Sequence, residues 1–148
     1  MCRSRSPIAS VSAIIGTVGL AEQRTFLETA IAPFVADVRR TLDPTFRVDL
    51  KLEDDLWTWN TYQSAGGIAG TSWDPDDAPS DGLAFVTYQI VDSLLDYAFD
   101  HVMEPWPVCP LHGEHPLYPE HRHDSAIWVC RKQGGGRVCE IGQFGEPT

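Results

Sequence analysis

The stretch CPLHGEHPLYPEHRHDSAIWVCRKQG, residues 109–134, carries the most distinctive chemistry of this 148-residue chain. Cys109 and His112 are separated by two residues, and a second cysteine, Cys130, follows the short apolar run 126–129. A two-residue gap lets both donor atoms reach one metal ion, because the backbone can curl between them. The spacing therefore predicts a metal site that organises the C-terminal third of the chain.

The five residues CPLHG, 109–113, have a form that resembles the first knuckle of a zinc ribbon, C-P-x-C-G, with histidine in the second ligand place. By the same comparison Cys130 opens the second knuckle, where Gln133 takes the second ligand place although glutamine is a poor zinc ligand. The resemblance implies a β-hairpin unit held by structural zinc, with Cys109, His112 and Cys130 as three of the ligands.

The fourth ligand has two candidates. Cys139 lies on RVCEIGQF, a predicted third strand, and a thiolate is chemically the better zinc ligand. His115 is nearer in sequence but must fold back past His112. We predict Cys139, with His115 as the alternative. A disulfide between Cys109 and Cys130, and a ribbon without metal, are the other interpretations of these residues.

A longer pattern, W-P-x-C-P-x-H, then H-P-L-x-P, then A-x-W-x-C, spans about residues 104–142. It resembles the C-terminal end of small uncharacterised bacterial proteins. No established activity accompanies that resemblance, so it implies no catalytic residue.

The charge of the chain is −10 and is unevenly distributed. Residues 1–108 hold 7 basic and 16 acidic side chains, whereas residues 109–148 hold 4 and 5. An acidic surface repels phosphate backbones and anionic lipids, so the whole chain is not expected to bind nucleic acid or a membrane. No nucleophile motif or cofactor fingerprint occurs, and we assign no catalytic and no cofactor-binding residue.

Residues 20–104 predict an acidic α+β body. Apolar residues three and four apart indicate a helix over residues 20–42, which Pro33 should kink or divide into two. Alternation of apolar and polar residues over 46–52, followed by an Asp-Asp turn, predicts an antiparallel hairpin whose second strand carries Trp57 and Trp59.

The rest of the body is predicted as a loop over residues 64–82, rich in Gly, Pro and Asp, and a helix over residues 83–103. Residues 105–148 are predicted as the zinc-ribbon-like unit. The fold class is therefore α+β: helices plus a small antiparallel sheet, followed by a C-terminal β-hairpin unit.

Residues 1–19 are expected to be a disordered extension, because their apolar run is interrupted by Ser, Thr and Gly and is too short to span a membrane. Removing them as a secretory signal would leave three cysteines, an odd number that fits a disulfide framework poorly. A cytoplasmic location is expected.

Three functions fit these features. The first is a non-enzymatic interaction or regulatory protein with structural zinc, a protein partner and an unassigned oligomeric state. The second is nucleic-acid association through the C-terminal unit alone. The third is a zinc hydrolase in which water takes the fourth position and Glu114 acts as the base. The second function would use Arg122, Arg131, Lys132, Arg137 and an exposed Trp128.

Overall fold

A computed structural model describes residues 19–62, 68–73, 82–98, 105–132 and 135–147. The order of elements is α1 (Leu20–Thr41), β1 (Arg47–Glu53), β2 (Leu56–Tyr62), β3 (Ile68–Trp73), α2 (Leu83–Ala98), β4 (Tyr118–Arg122), β5 (Ser125–Val129) and β6 (Arg137–Glu140). The strands form two antiparallel three-stranded sheets, β1-β2-β3 and β4-β5-β6. The predicted α+β fold class is confirmed. Residues 1–18 of the expected N-terminal extension and residues 99–103 at the end of the second predicted helix lie outside the described residues.

Helix α1 is continuous through Pro33, so of the two predicted alternatives, a kink or a division into two helices, the second is wrong. Its apolar residues at spacings of three and four are fully or almost fully buried, and this packing maintains the helix despite the missing proline N–H. Pro33 also packs closely against Gly142. A Cβ added at residue 142 would lie 2.9 Å from the Pro33 Cβ. The buried apolar residues are Leu27, Ala30, Ile31, Phe34 and Val38.

The predicted hairpin is confirmed by β1 and β2, which pair in antiparallel register around Asp54 and Asp55. These two residues have φ angles of 50° and 65°, as a two-residue type I′ turn requires. Trp57 and Trp59 are 2% and 1% exposed, so both rings belong to the core.

Strand β3 corrects the prediction of an uninterrupted loop over residues 64–82. Its glycine-rich sequence, IAGTSW, shows weak alternation, but β2 has a second edge whose N–H and C=O groups need partners. Strand β3 supplies these partners by pairing with β2, and local sequence propensity does not reveal this pairing. The remaining loop residues, 63–67 and 74–81, lie outside the described part of the chain.

A single hydrophobic cluster joins residues from both helices and both sheets. Aromatic rings connect the predicted body to the predicted C-terminal unit: Trp106 lies edge-on to Phe34 at 5.9 Å, to Trp128 at 5.9 Å and to Phe144 at 6.2 Å between ring centroids. No helix among the described residues is long and apolar enough to cross a membrane.

Candidate metal centre

The site is formed by two short segments that approach each other beside the β4-β5-β6 sheet. The first is the turn 109–115, which precedes β4, and the second is the residue that follows β5, Cys130. In the turn, the Gly113 N–H donates to the Cys109 carbonyl at 2.7 Å, and the Cys109 N–H donates to the His115 carbonyl at 2.9 Å. Gly113 has a φ of 74°, a conformation that glycine adopts without strain.

Four side chains converge there: Cys109, His112, His115 and Cys130, whose donor atoms all lie within 4.8 Å of one another. His112 Nδ1 is central. It lies 3.4 Å from Cys109 Sγ, 3.3 Å from Cys130 Sγ and 3.1 Å from His115 Nε2. His115 Nε2 lies 3.6 Å from Cys130 Sγ. These four residues could hold a metal ion.

Burial differs between the two kinds of donor. Cys109 and Cys130 are 0% and 4% exposed, whereas His112 is exposed and His115 is half-buried. The sulfur atoms therefore face the core and the imidazoles close the site on the solvent side. An ion bound by these two cysteines would link their two segments on the buried side of the site, which is the role of a structural metal centre.

The second ring nitrogen of His115 is also engaged. Its Nδ1 lies 2.9 Å from the Pro116 carbonyl oxygen, which can only accept, so Nδ1 carries the proton and donates. This hydrogen bond leaves Nε2 as the lone-pair donor that faces the cluster. Orientation of a ligating imidazole by a backbone carbonyl is common around protein metal sites.

The electrostatic surroundings also favour a thiolate at Cys109. Burial raises the pKa of this thiol, but the backbone N–H groups of His112 and Leu111, the Cys130 thiol and the Lys132 charge act in the opposite direction. The net result is a Cys109 pKa below its ordinary value. A thiolate is the form of cysteine that binds metal.

Gly135 is placed directly against the second cysteine. A Cβ at this position would lie 2.5 Å from Cys130 Sγ and 2.6 Å from the Cys130 carbonyl oxygen. The Gly136 carbonyl accepts from the Cys130 N–H at 2.8 Å, so the backbone folds tightly around Cys130. Gln133, the second ligand place of the zinc-ribbon comparison, lies outside the described residues.

Three of the four predicted ligands, Cys109, His112 and Cys130, are brought together, and the fourth member of the group is the alternative, His115. The structure does not bring Cys139, the preferred candidate, into the group. In the β5–β6 ladder Cys139 lies opposite Trp128, and it packs against the core. Burial, followed by the charge of Asp37 on α1, raises the pKa of its thiol.

The basic residues proposed for nucleic-acid contact are mostly paired with carboxylates. Arg122 Nε lies 2.8 Å from a Glu120 carboxylate oxygen, and Arg137 lies 3.4 Å from Glu140. Arg131 covers the Tyr118 ring at 4.2 Å. The prediction of an exposed Trp128 is wrong, because this side chain is 0% exposed and donates to Asp37.

Comparisons of the chain with protein-family models, with curated proteins and with solved structures gave no match. The functional interpretation therefore depends on the geometry of the site itself.

Proposed function

We propose that the chain is a non-enzymatic interaction or regulatory protein whose C-terminal unit is stabilised by one zinc ion bound to Cys109, His112, His115 and Cys130. The observation that carries the proposal is the separation of the donor atoms. Zinc bonds of about 2.3 Å to sulfur and about 2.0 Å to nitrogen in a tetrahedron place ligand atoms roughly 3.3–3.8 Å apart. Four of the six separations between these donor atoms are 3.1, 3.3, 3.4 and 3.6 Å, the first slightly shorter than this range, and all six are within 4.8 Å.

The composition of the donor set supports zinc among the available metals. Two sulfur and two imidazole donors suit zinc, whereas calcium and magnesium prefer oxygen ligands. Two thiolates balance the charge of a divalent ion, so the loaded site would be neutral and tolerate its contact with the core.

The same set argues against the hydrolase. A catalytic zinc site keeps one position open for water, whereas four protein ligands fill a tetrahedron. Nucleic-acid association through the C-terminal unit is disfavoured, because Trp128, the side chain expected to stack on bases, is buried. A structural role for the metal is the function that this geometry favours.

The test is the zinc content of two matched variants. His115→Ala removes a ligand and should reduce zinc from about one ion per chain to a small fraction, whereas Cys139→Ser should leave the zinc content at the wild-type level. Elemental analysis of protein purified without chelator measures both. Loss of zinc from Cys139→Ser with retention in His115→Ala would contradict this ligand set. Wild-type protein that is folded as purified and contains no zinc would contradict the proposal as a whole.

A further inference from the structure

Strand β1 is an edge of its sheet, and its outward backbone groups can be identified from the hairpin. A two-residue turn makes Glu53 and Leu56 a hydrogen-bonded pair, so the odd-numbered residues of β1 direct their N–H and C=O groups toward β2. The even-numbered residues Val48, Leu50 and Leu52 direct theirs to the open side. Among the described residues no strand covers that side, and no backbone hydrogen bond between the ladders reaches these groups.

The side chains of β1 form two ordered rows. Arg47, Asp49, Lys51 and Glu53 alternate in charge along the outer face of the sheet. The Arg47 and Asp49 side chains are 53% and 42% exposed, and Lys51 and Glu53 are exposed as well. The inner row is aliphatic and consists of Val48, Leu50 and Leu52, the middle one buried and the outer two half-buried.

Both rows are self-complementary under a two-fold axis through Leu50. In an antiparallel pair of β1 strands centred there, Arg47 of each copy faces Glu53 of the other, and Asp49 faces Lys51. These charged residues occupy the non-hydrogen-bonded positions, where opposed side chains are closest. The outward N–H and C=O groups of Val48 form hydrogen bonds with those of Leu52 in the other copy. Those of Leu50 form hydrogen bonds with Leu50 of the other copy.

Charge also selects this register over its neighbours. The backbone allows the strands to slide only in steps that keep even-numbered residues opposite each other. One step in either direction brings two aspartates or two lysines into direct opposition at Asp49 or Lys51, which is unfavourable. Only the centred register among these three opposes unlike charges at every charged position.

We propose that β1 binds β1 of a second copy of this chain, so that the two β1-β2-β3 sheets become one continuous antiparallel sheet with two-fold symmetry. Pairing of edge strands is a general mode of association, and an isologous interface requires a surface that is complementary to itself. The intrachain Arg47–Asp49 ion pair, 2.9 Å long and solvent-exposed, contributes little and does not prevent the exchange of partners. This inference is independent of the metal.

Sedimentation velocity of the full chain over a range of concentrations tests the interface. Wild-type protein should form a dimer below about 1 mM. Asp49→Lys and Lys51→Asp each place like charges opposite each other at two symmetry-related positions, so each should raise the dimer dissociation constant at least about tenfold. An equimolar mixture of the two variants should recover association as a heterodimer, because unlike charges face each other again.

Glu28→Lys is the matched control. Glu28 is exposed on α1, and its replacement changes the net charge as much as Asp49→Lys does without touching β1. Association should persist in this variant. A wild-type chain that stays monomeric up to about 1 mM would overturn the proposal. The proposal would also be overturned if neither single substitution changed the dimer dissociation constant. It would be overturned equally if the mixture stayed monomeric while each variant retained the wild-type circular dichroism spectrum.

Discussion

Among single residues, Cys139 has the most unusual thiol of the described chain. It lies half-buried on β6 opposite Trp128, and burial, followed by the charge of Asp37, raises its pKa from 9.0 to about 11. Because the folded pKa is above the unfolded value, Cys139 favours the folded state below pH 9, and this contribution is lost as pH rises toward 11. At neutral pH the side chain is a protonated thiol, which is a poor nucleophile and a poor metal ligand.

We therefore expect Cys139 to react slowly with iodoacetamide in the folded protein. Two pKa units lower the thiolate fraction near pH 8 by about a hundredfold relative to an ordinary thiol, and burial slows the reaction further. The rate should rise as the pH approaches 11. Peptide mass spectrometry after timed alkylation measures it, with the same cysteine in the urea-unfolded chain as the control. Equal rates in the two states near pH 8 would contradict this environment.

The proposed ligand set shows where prediction from sequence stops at the residue scale. Spacing identified Cys109, His112 and Cys130, because a local turn brings the first pair together. Ligand chemistry favoured Cys139 over His115, but the choice depends on the direction in which a side chain points. The pairing that places Cys139 opposite Trp128 and one hydrogen bond of His115 to Pro116 distinguish the two candidates, and neither has a recognisable sequence signal.

At the scale of elements, α1 is attached to the C-terminal sheet through one buried carboxylate. Asp37 is 0% exposed, and its oxygens accept from Trp128 Nε1 at 2.8 Å and from the N–H groups of Gly142 at 2.8 Å and Phe144 at 2.9 Å. Arg40 lies 3.2 Å away and also donates to the Phe144 carbonyl. Burial raises the pKa of Asp37, and these donors and the Arg40 charge oppose the rise.

Asp37→Ala should lower the free energy of unfolding by about 3 kcal/mol, because it leaves several buried donors without a partner. Denaturant titration followed by tryptophan fluorescence measures the loss. Asp92→Ala, an exposed position on α2, is the control and should change the free energy of unfolding by less than about 0.5 kcal/mol. A similar small effect at Asp37 would show that the carboxylate does not hold α1 to the sheet.

Most helices and strands could be predicted because their apolar residues recur at a regular spacing. Strands β1, β2 and β5 follow from alternation or an apolar run, and both helices follow from apolar spacing. Strand β3 and the continuity of α1 could not be predicted in this way. The first depends on an edge that β2 offers, and the second on packing that outweighs the cost of Pro33.

At the scale of the whole molecule, the two predicted units share one hydrophobic cluster. The contact of Trp106 with Phe34 crosses between them, and Trp106 also packs on Trp128 within the C-terminal unit, so among the described residues neither unit has a core of its own. Removal of the proposed zinc ion should therefore weaken the entire fold. We expect a chelator to lower the unfolding midpoint of the whole chain in one cooperative transition.

Thermal unfolding with and without chelator, followed by far-ultraviolet circular dichroism and by tryptophan fluorescence, tests this expectation. The two signals should give the same midpoint in each condition, and zinc added back in excess should restore the higher midpoint. His115→Ala provides the control, since its midpoint should not respond to the chelator. Two separate transitions, of which only one responds to chelator, would contradict a shared core.

The bonds of Asp37 to Gly142 and Phe144 also have a consequence for the order of events during synthesis. They join residues 105 and 107 positions apart, so α1 is made long before the groups that complete its environment. Until those residues have been synthesised, the apolar face of α1 and the Asp37 carboxylate lack groups that they contact in the folded protein. Contacts of such long range also form slowly. The nascent chain should therefore present α1 to chaperones until Phe144 has left the ribosome, and it should acquire its native core only then.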